Sequence, residues 1–119
     1  ADVLRLLMSA LSDKILKSRE SQVVIGRHAF TVRRPTALEY EAKIRKGDAA
    51  QAILAFVVGW SGVVESDLFP GGDPHPAPFD AESCAEWLSD RPDLYSAVAQ
   101  AVVDSFSAYV AKLDDAAKN

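Results

Sequence analysis

One stretch limits what this chain can become. Between positions 65 and 78 stand four of its six prolines, Pro70, Pro74, Pro76 and Pro78, with Gly71 and Gly72 among them. Proline lacks the N–H that a helix or a ladder needs and fixes its own φ, so no long helix or central strand can cross this stretch. The composition predicts a loop with polyproline character, and long irregular segments of that kind are often mobile or functional. Regular elements must lie on either side of it. The 119 residues suit one domain, 1–119, with a single hydrophobic core.

Upstream, Val3, Leu4, Leu7, Met8, Leu11, Ile15 and Leu16 recur at helical spacing, so residues 1–20 read as an amphipathic helix. It either packs on the core or serves as a detachable arm that docks on a partner. Residues 22–34 read as a β-hairpin. Val23, Val24 and Ile25 are β-branched, Gly26-Arg27-His28 can turn, and Phe30-Thr31-Val32 returns with alternating character. Pro35 ends the second strand. A lone hairpin is marginal in water, so it must lie against helices or gain strands from another copy. Residues 36–62 read as central helices. Thr36 and Glu39 form a capping box for a helix to about Lys46, with Gly47 as its stop, and Asp48 caps the next. There Ala49, Ala52, Ile53, Phe56, Val57 and Trp60 form a stripe that predicts a helix through Trp60 in the middle of the core.

Downstream, residues 80–117 read as two helices. Asp80 caps the first, which runs to about Ser89 with Trp87 and Leu88 as anchors, and Pro92 opens the second. In the second helix Tyr95, Ala99, Val102, Phe106, Tyr109 and Leu113 repeat at four-three spacing. That seam serves either internal packing or pairing with another helix. The expected fold is thus mostly α: a small helical domain of four to five helices with one β-hairpin, α+β by strict count.

Cys84 is the one cysteine, which excludes an internal disulfide and fits a reducing compartment. No apolar run approaches the roughly 18 residues of a membrane span, and charges interrupt residues 1–16 where a signal peptide would be continuously apolar. His28 in the hairpin turn, His75 in the Pro/Gly loop and Cys84 in a helix are scattered, a poor set for a metal. Nothing pairs a nucleophile with a base or cradles a phosphate. We expect no catalytic, cofactor-binding or metal-binding residues. Arg27, Arg33, Arg34, Lys43, Arg45 and Lys46 make a small basic patch. The net charge of −4 and the lack of a recognition motif argue against nucleic acid. The charge is unevenly divided: residues 1–47 carry ten Lys/Arg against five Asp/Glu, and residues 48–119 carry three against twelve. Two such halves attract each other within one fold, attract partners of opposite sign, or pair head to tail between copies in a homo-oligomer.

The order of segments says more than any one of them. Phe30-Thr-Val-Arg-Arg-Pro-Thr-Ala-Leu-Glu-Tyr-Glu41 comes first, then Phe56-Val-Val-Gly-Trp-Ser-Gly-Val63 and the Pro/Gly loop. Pro78-Phe79-Asp-Ala-Glu follows, with Trp87-Leu88 and Pro92-Asp93-Leu94 after it. In that order they resemble the small tail assembly chaperones of long-tailed bacteriophages and prophages, over roughly residues 22–113. The resemblance implies a non-enzymatic protein of the host bacterial cytoplasm, absent from the mature virion. It implies as partners the tape-measure protein, a long helical client kept soluble, and the tail-tube protein recruited around it. It implies no cofactor, no membrane and no nucleic acid. A structural tail-completion or head–tail connector protein, or a host interaction adaptor, is the alternative. The residues offered for partner binding are Leu4, Leu7, Met8 and Leu11 on the first helix, Val23 and Ile25 on the hairpin, and Leu68 and Phe69 in the loop.

Overall fold

The computed structural model describes residues 2–118, with side chains from Ala10 onward. Helix α1 (Asp2–Lys17) leads into antiparallel strands β1 (Glu20–Ile25) and β2 (His28–Arg33). The turn between them is two residues long, and Gly26 occupies it at φ +61°, a conformation that costs a residue with a Cβ. The hairpin pairs from Glu20↔Arg33 to Ile25↔His28. This register sets the faces. Phe30 and Val32 are fully buried, so Val23, opposite Phe30, also faces inward, and Val24 is left outside.

The hairpin gains its third strand from its own chain. The helix expected through Trp60 stops early: α3 spans Ala49–Ala55, and Val57–Ser61 forms β3 on the far side of β2. The pairing runs Ala29↔Ser61, Phe30↔Trp60 and Thr31↔Gly59, with an irregularity before Val32↔Val57. Two physical reasons account for this correction. Val57, Val58 and Gly59 are weak helix formers in succession. A two-stranded hairpin also has an unpaired edge that a third strand satisfies. Phe56 makes the corner: its N–H donates to the Ile53 carbonyl at 3.0 Å, and its carbonyl accepts from the Arg33 N–H at 2.8 Å.

The expected caps are in place. The Thr36 hydroxyl accepts from the Glu39 N–H at 3.1 Å, and the Glu39 carboxylate accepts from the Thr36 N–H at 3.0 Å. The short α2 (Ala37–Glu39) then widens into a π-helical turn, Tyr40–Arg45, where the Lys46 N–H reaches back five residues to the Glu41 carbonyl. Asp48 caps α3, and Asp80 caps α5 (Ala81–Ser89) by accepting from the Ser83 N–H at 2.9 Å. Pro92 opens α6 (Pro92–Lys118).

Helices α5 and α6 cover the inner face of the sheet, and α3 closes one end. The core runs through Phe30, Phe56, Trp87, Leu88, Val98 and Val102. On α6 the four-three seam is used internally as far as Tyr109. Phe106 stacks on Tyr40 with centroids 4.0 Å apart, and the Arg34 guanidinium lies 3.7 Å over the Tyr109 ring. Beyond that point the helix overhangs the core, with Val110 and Leu113 exposed. The architecture is a small α+β domain: helices against one three-stranded antiparallel sheet. No helix of the described residues is long and apolar enough to cross a membrane.

The Pro/Gly stretch is strapped down rather than loose. It contains a helical turn, α4 (Glu65–Leu68), and folds back on itself. The Glu65 N–H donates to the His75 carbonyl at 3.0 Å, Ser66 to Asp73 at 3.0 Å, and Ala77 to Val63 at 2.9 Å. Trp60 pins it from the sheet, its Nε1 donating to the Ala77 carbonyl at 2.8 Å. Composition revealed the lack of a long element but not these long-range bonds.

Candidate partner-binding surface

Among the eight residues offered for partner binding, Leu4, Leu7 and Met8 have side chains outside the described residues. Leu11 is 59% exposed. It belongs to a run, residues 10–18, in which every side chain faces solvent, and Ile15 and Leu16 are exposed beside it. The helix repeat places these three on an arc of about 140°, with Lys14 and Lys17 along one flank. This apolar stripe has no cover within the described fold.

The hairpin pair behaves differently. Val23 and Ile25 are half-buried against the core, because the register turns them towards the helices. Val24, 73% exposed, holds the outward position. The outer face of the sheet also carries Gln22, Ala29, Thr31, Gly59 and Ser61, and Val58 of β3 is 40% exposed.

Leu68 and Phe69 fall together, lining a groove of about 700 Å³ between the end of α4 and one face of α5. Leu68 is half-buried in its wall and Phe69 is half-exposed. Trp87, itself buried, also lines it. Asp80, Glu82, Glu86 and Asp90 stand along the groove, and no Lys or Arg lines it. Sequence reading did not anticipate Glu82, Glu86 and Trp87 as part of this surface. The available signal was their spacing: positions 82 and 86 stack one turn apart and 87 lies beside them.

Interactions at the hairpin turn fix the groove. The His28 Nδ1–H donates to the Gly62 carbonyl at 2.9 Å, and its ring meets Trp87 edge-on with centroids 5.3 Å apart. Arg27 pairs with Asp67, whose carboxylate also accepts from the Val64 N–H at 2.9 Å. His28 is thus held by structure on both sides. His75 sits apart in the strap, where its carbonyl is engaged. Among the described residues no three His, Cys, Asp or Glu converge as metal ligands. Cys84 is buried, and burial pushes its thiol up to about 11, away from the reactive thiolate.

A two-bond charge pair that ties β2 to α2 lies outside the groove. Arg33 and Glu39 form two parallel bonds of 2.9 and 3.1 Å, and the guanidinium lies 4.9 Å over the Phe56 ring. The Arg33 bond, aided by the Thr36 N–H, holds the Glu39 carboxyl down at about 2.

Comparison with family models, with curated proteins and with solved structures finds no match to this chain. The surfaces therefore speak through their own chemistry. They offer an exposed apolar stripe flanked by lysines, and a groove lined by Leu68, Phe69, Trp87 and the carboxylates of Asp80, Glu82, Glu86 and Asp90.

Proposed function

We propose that this chain is a non-enzymatic tail assembly chaperone of a long-tailed bacteriophage or prophage. In this reading it binds the tape-measure protein in the host bacterial cytoplasm, covers its apolar helical stripes, and helps recruit tail-tube subunits. It does not remain in the finished virion. The ordered motifs between residues 30 and 94 support the family reading. The observation that carries the binding role is the uncovered stripe of Leu11, Ile15 and Leu16. Contiguous exposed apolar surface on a folded protein marks an interaction site.

Affinity for a helical client comes chiefly from buried apolar area. The contact is therefore expected to survive about half-molar salt, whereas a nucleic-acid contact weakens steeply. The test is co-expression with the tape-measure protein of the same genome. Soluble client that co-purifies with the chain, and loses it when Leu11 and Ile15 are both replaced by Asp, supports the reading. A client equally soluble alone refutes it. Recovery of the chain as a stoichiometric part of purified particles would replace it with the structural-component reading.

A further inference from the structure

We propose that a pocket between the α1–β1 junction and α6 binds the phosphate group of a small ligand, held between Arg19, Arg34 and Lys112. The pocket has a volume of about 340 Å³, and all three cations line it. The fold brings them together from separate places. The Arg34 N–H donates to the Arg19 carbonyl at 2.7 Å, so the two residues face each other one step beyond the pair Glu20↔Arg33. Side chains alternate along a strand, and Val23 and Val32 are turned towards the helices. Arg19, Ser21 and Arg34 therefore share the face that α6 covers, and Glu20, which also borders the pocket, is turned to the other. Lys112 comes from α6, three residues beyond Tyr109 and on the same side of that helix.

The three cations are without a counter-charge. Among the described residues none of Arg19, Arg34 and Lys112 belongs to an ion pair, whereas the neighbouring Arg33 is taken up by Glu39. Arg19 and Arg34 are half-buried. Burial, and the like charge of Arg19, hold the Arg34 guanidinium below its ordinary value. Two half-buried like charges side by side cost stability, and an anion between them removes the cost. The Arg34 fork is also fixed in advance. It lies 3.7 Å over the Tyr109 ring and donates to the Pro35 carbonyl at 2.9 Å, which leaves its other N–H groups for a ligand. The hydroxyls of Ser18 and Ser105 are spent on the Ile15 and Val102 carbonyls, at 2.6 and 2.7 Å. Ser21 remains as the hydroxyl donor.

Charge and shape select the ligand. One guanidinium fork satisfies a carboxylate, whereas three converging cations suit a dianion with three oxygens. That is a phosphate monoester or inorganic phosphate. An extended polyanion fits less well, because Glu20 stands beside the pocket and Asp114 and Asp115 follow Lys112 on α6. None of Leu11, Ile15 and Leu16 lines the pocket. The site is therefore distinct from the surface assigned to a client, and the inference stands or falls with the purified chain alone, whether or not that chain is a chaperone.

The test is a titration of the purified chain with inorganic phosphate at about pH 7.5, where the dianion prevails, at constant ionic strength and followed by amide resonances. Saturable shifts at Arg19, Ser21 and Arg34 are expected, with half-saturation near about 1 mM. Phenyl phosphate, a monoester, should bind at least as well, and dimethyl phosphate, a singly charged diester, about tenfold more weakly. Arg19→Gln and Lys112→Gln should each weaken binding by about fivefold or more with the fold intact, because the fold uses the Arg19 carbonyl and not its side chain. Arg91→Gln removes the same charge at least about 20 Å away along α6 and should leave binding unchanged. Absence of saturation up to about 50 mM phosphate overturns the proposal. So does an equal loss in Arg91→Gln, which would mean diffuse attraction to net charge. A diester that binds as tightly as the monoester overturns it as well, and would give the pocket to a nucleic-acid backbone.

Discussion

Replacing Glu39 by Gln removes the charge that ties the end of β2 to α2. In the folded protein the Glu39 carboxyl sits at about 2, against 4.5 for an unperturbed one. A group whose pKa is lowered by folding stabilises the fold fully above its unfolded value. That stability is lost as pH falls through the folded value, because the unfolded chain takes the proton first. The window is therefore pH 4.5 down to about 2. At about 1.36 kcal/mol per pH unit the gap sets a ceiling near 3 kcal/mol. Arg33 and Glu39 keep 24% and 23% of their side-chain surface exposed, and solvent screening reduces the figure to roughly 1–2 kcal/mol. Other lowered carboxyls, Asp67, Asp80 and Asp93 among them, give the same slope in both proteins and cancel in the difference. The assay is urea unfolding of wild type and Glu39→Gln at pH 7, 5, 3 and 2. The difference is expected to be about 1–2 kcal/mol at pH 7 and 5, and to shrink steadily below that. A difference that is constant with pH, or negligible at pH 7, would show that the Arg33 bond does not act as argued.

Phe56→Ala opens a cavity beneath the corner where α3 turns into β3, and is expected to lower unfolding free energy by about 3–5 kcal/mol in denaturant titration. A loss under about 1 kcal/mol would place the ring outside the working core. Gly62→Ala forces a Cβ into the Arg27 carbonyl at a backbone φ of +71°, so a destabilisation of more than about 1 kcal/mol is expected, with broadened amide resonances from Arg27 and His28. Wild-type stability there would mean that the loop moves aside. Cys84 should resist a thiol reagent at pH 8 until the protein unfolds, and rapid native labelling would contradict its burial.

Local chemistry was the legible part of the fold. The caps at Thr36, Asp48 and Asp80 and the opening at Pro92 depend on residues within three positions of each other, and all four stand where the sequence put them. Strand β3 was not legible. Phe56 to Trp60 is a short apolar run that fits a buried helix and a buried strand equally, and its pairing with β2 decides between them from nearly thirty residues away. The same distance effect governs the surface. Choosing Val24 over Val23 and Ile25 for the outer surface required the phase of the hairpin, which rests on Phe30 and Val32 being inward. Phe69 was offered for its place in the Pro/Gly stretch. Its acidic neighbours come from α5, brought alongside only when the strap closes.

The joint between sheet, strap and α5 contains all of the chain's tryptophan. Trp60 and Trp87 meet edge to face, with centroids 6.0 Å apart and planes at 89°. Indoles this close exchange excitation, so their ultraviolet bands couple and their emission reports one place only. Trp60 reads its bond to the strap and Trp87 reads the ring of His28, while α1 and the overhanging end of α6 carry no tryptophan. An optical melt therefore follows this joint, and far-ultraviolet dichroism follows the helices. Coincidence of the two curves would mark a single cooperative unit. A gap between them would measure how far the projecting helices melt on their own.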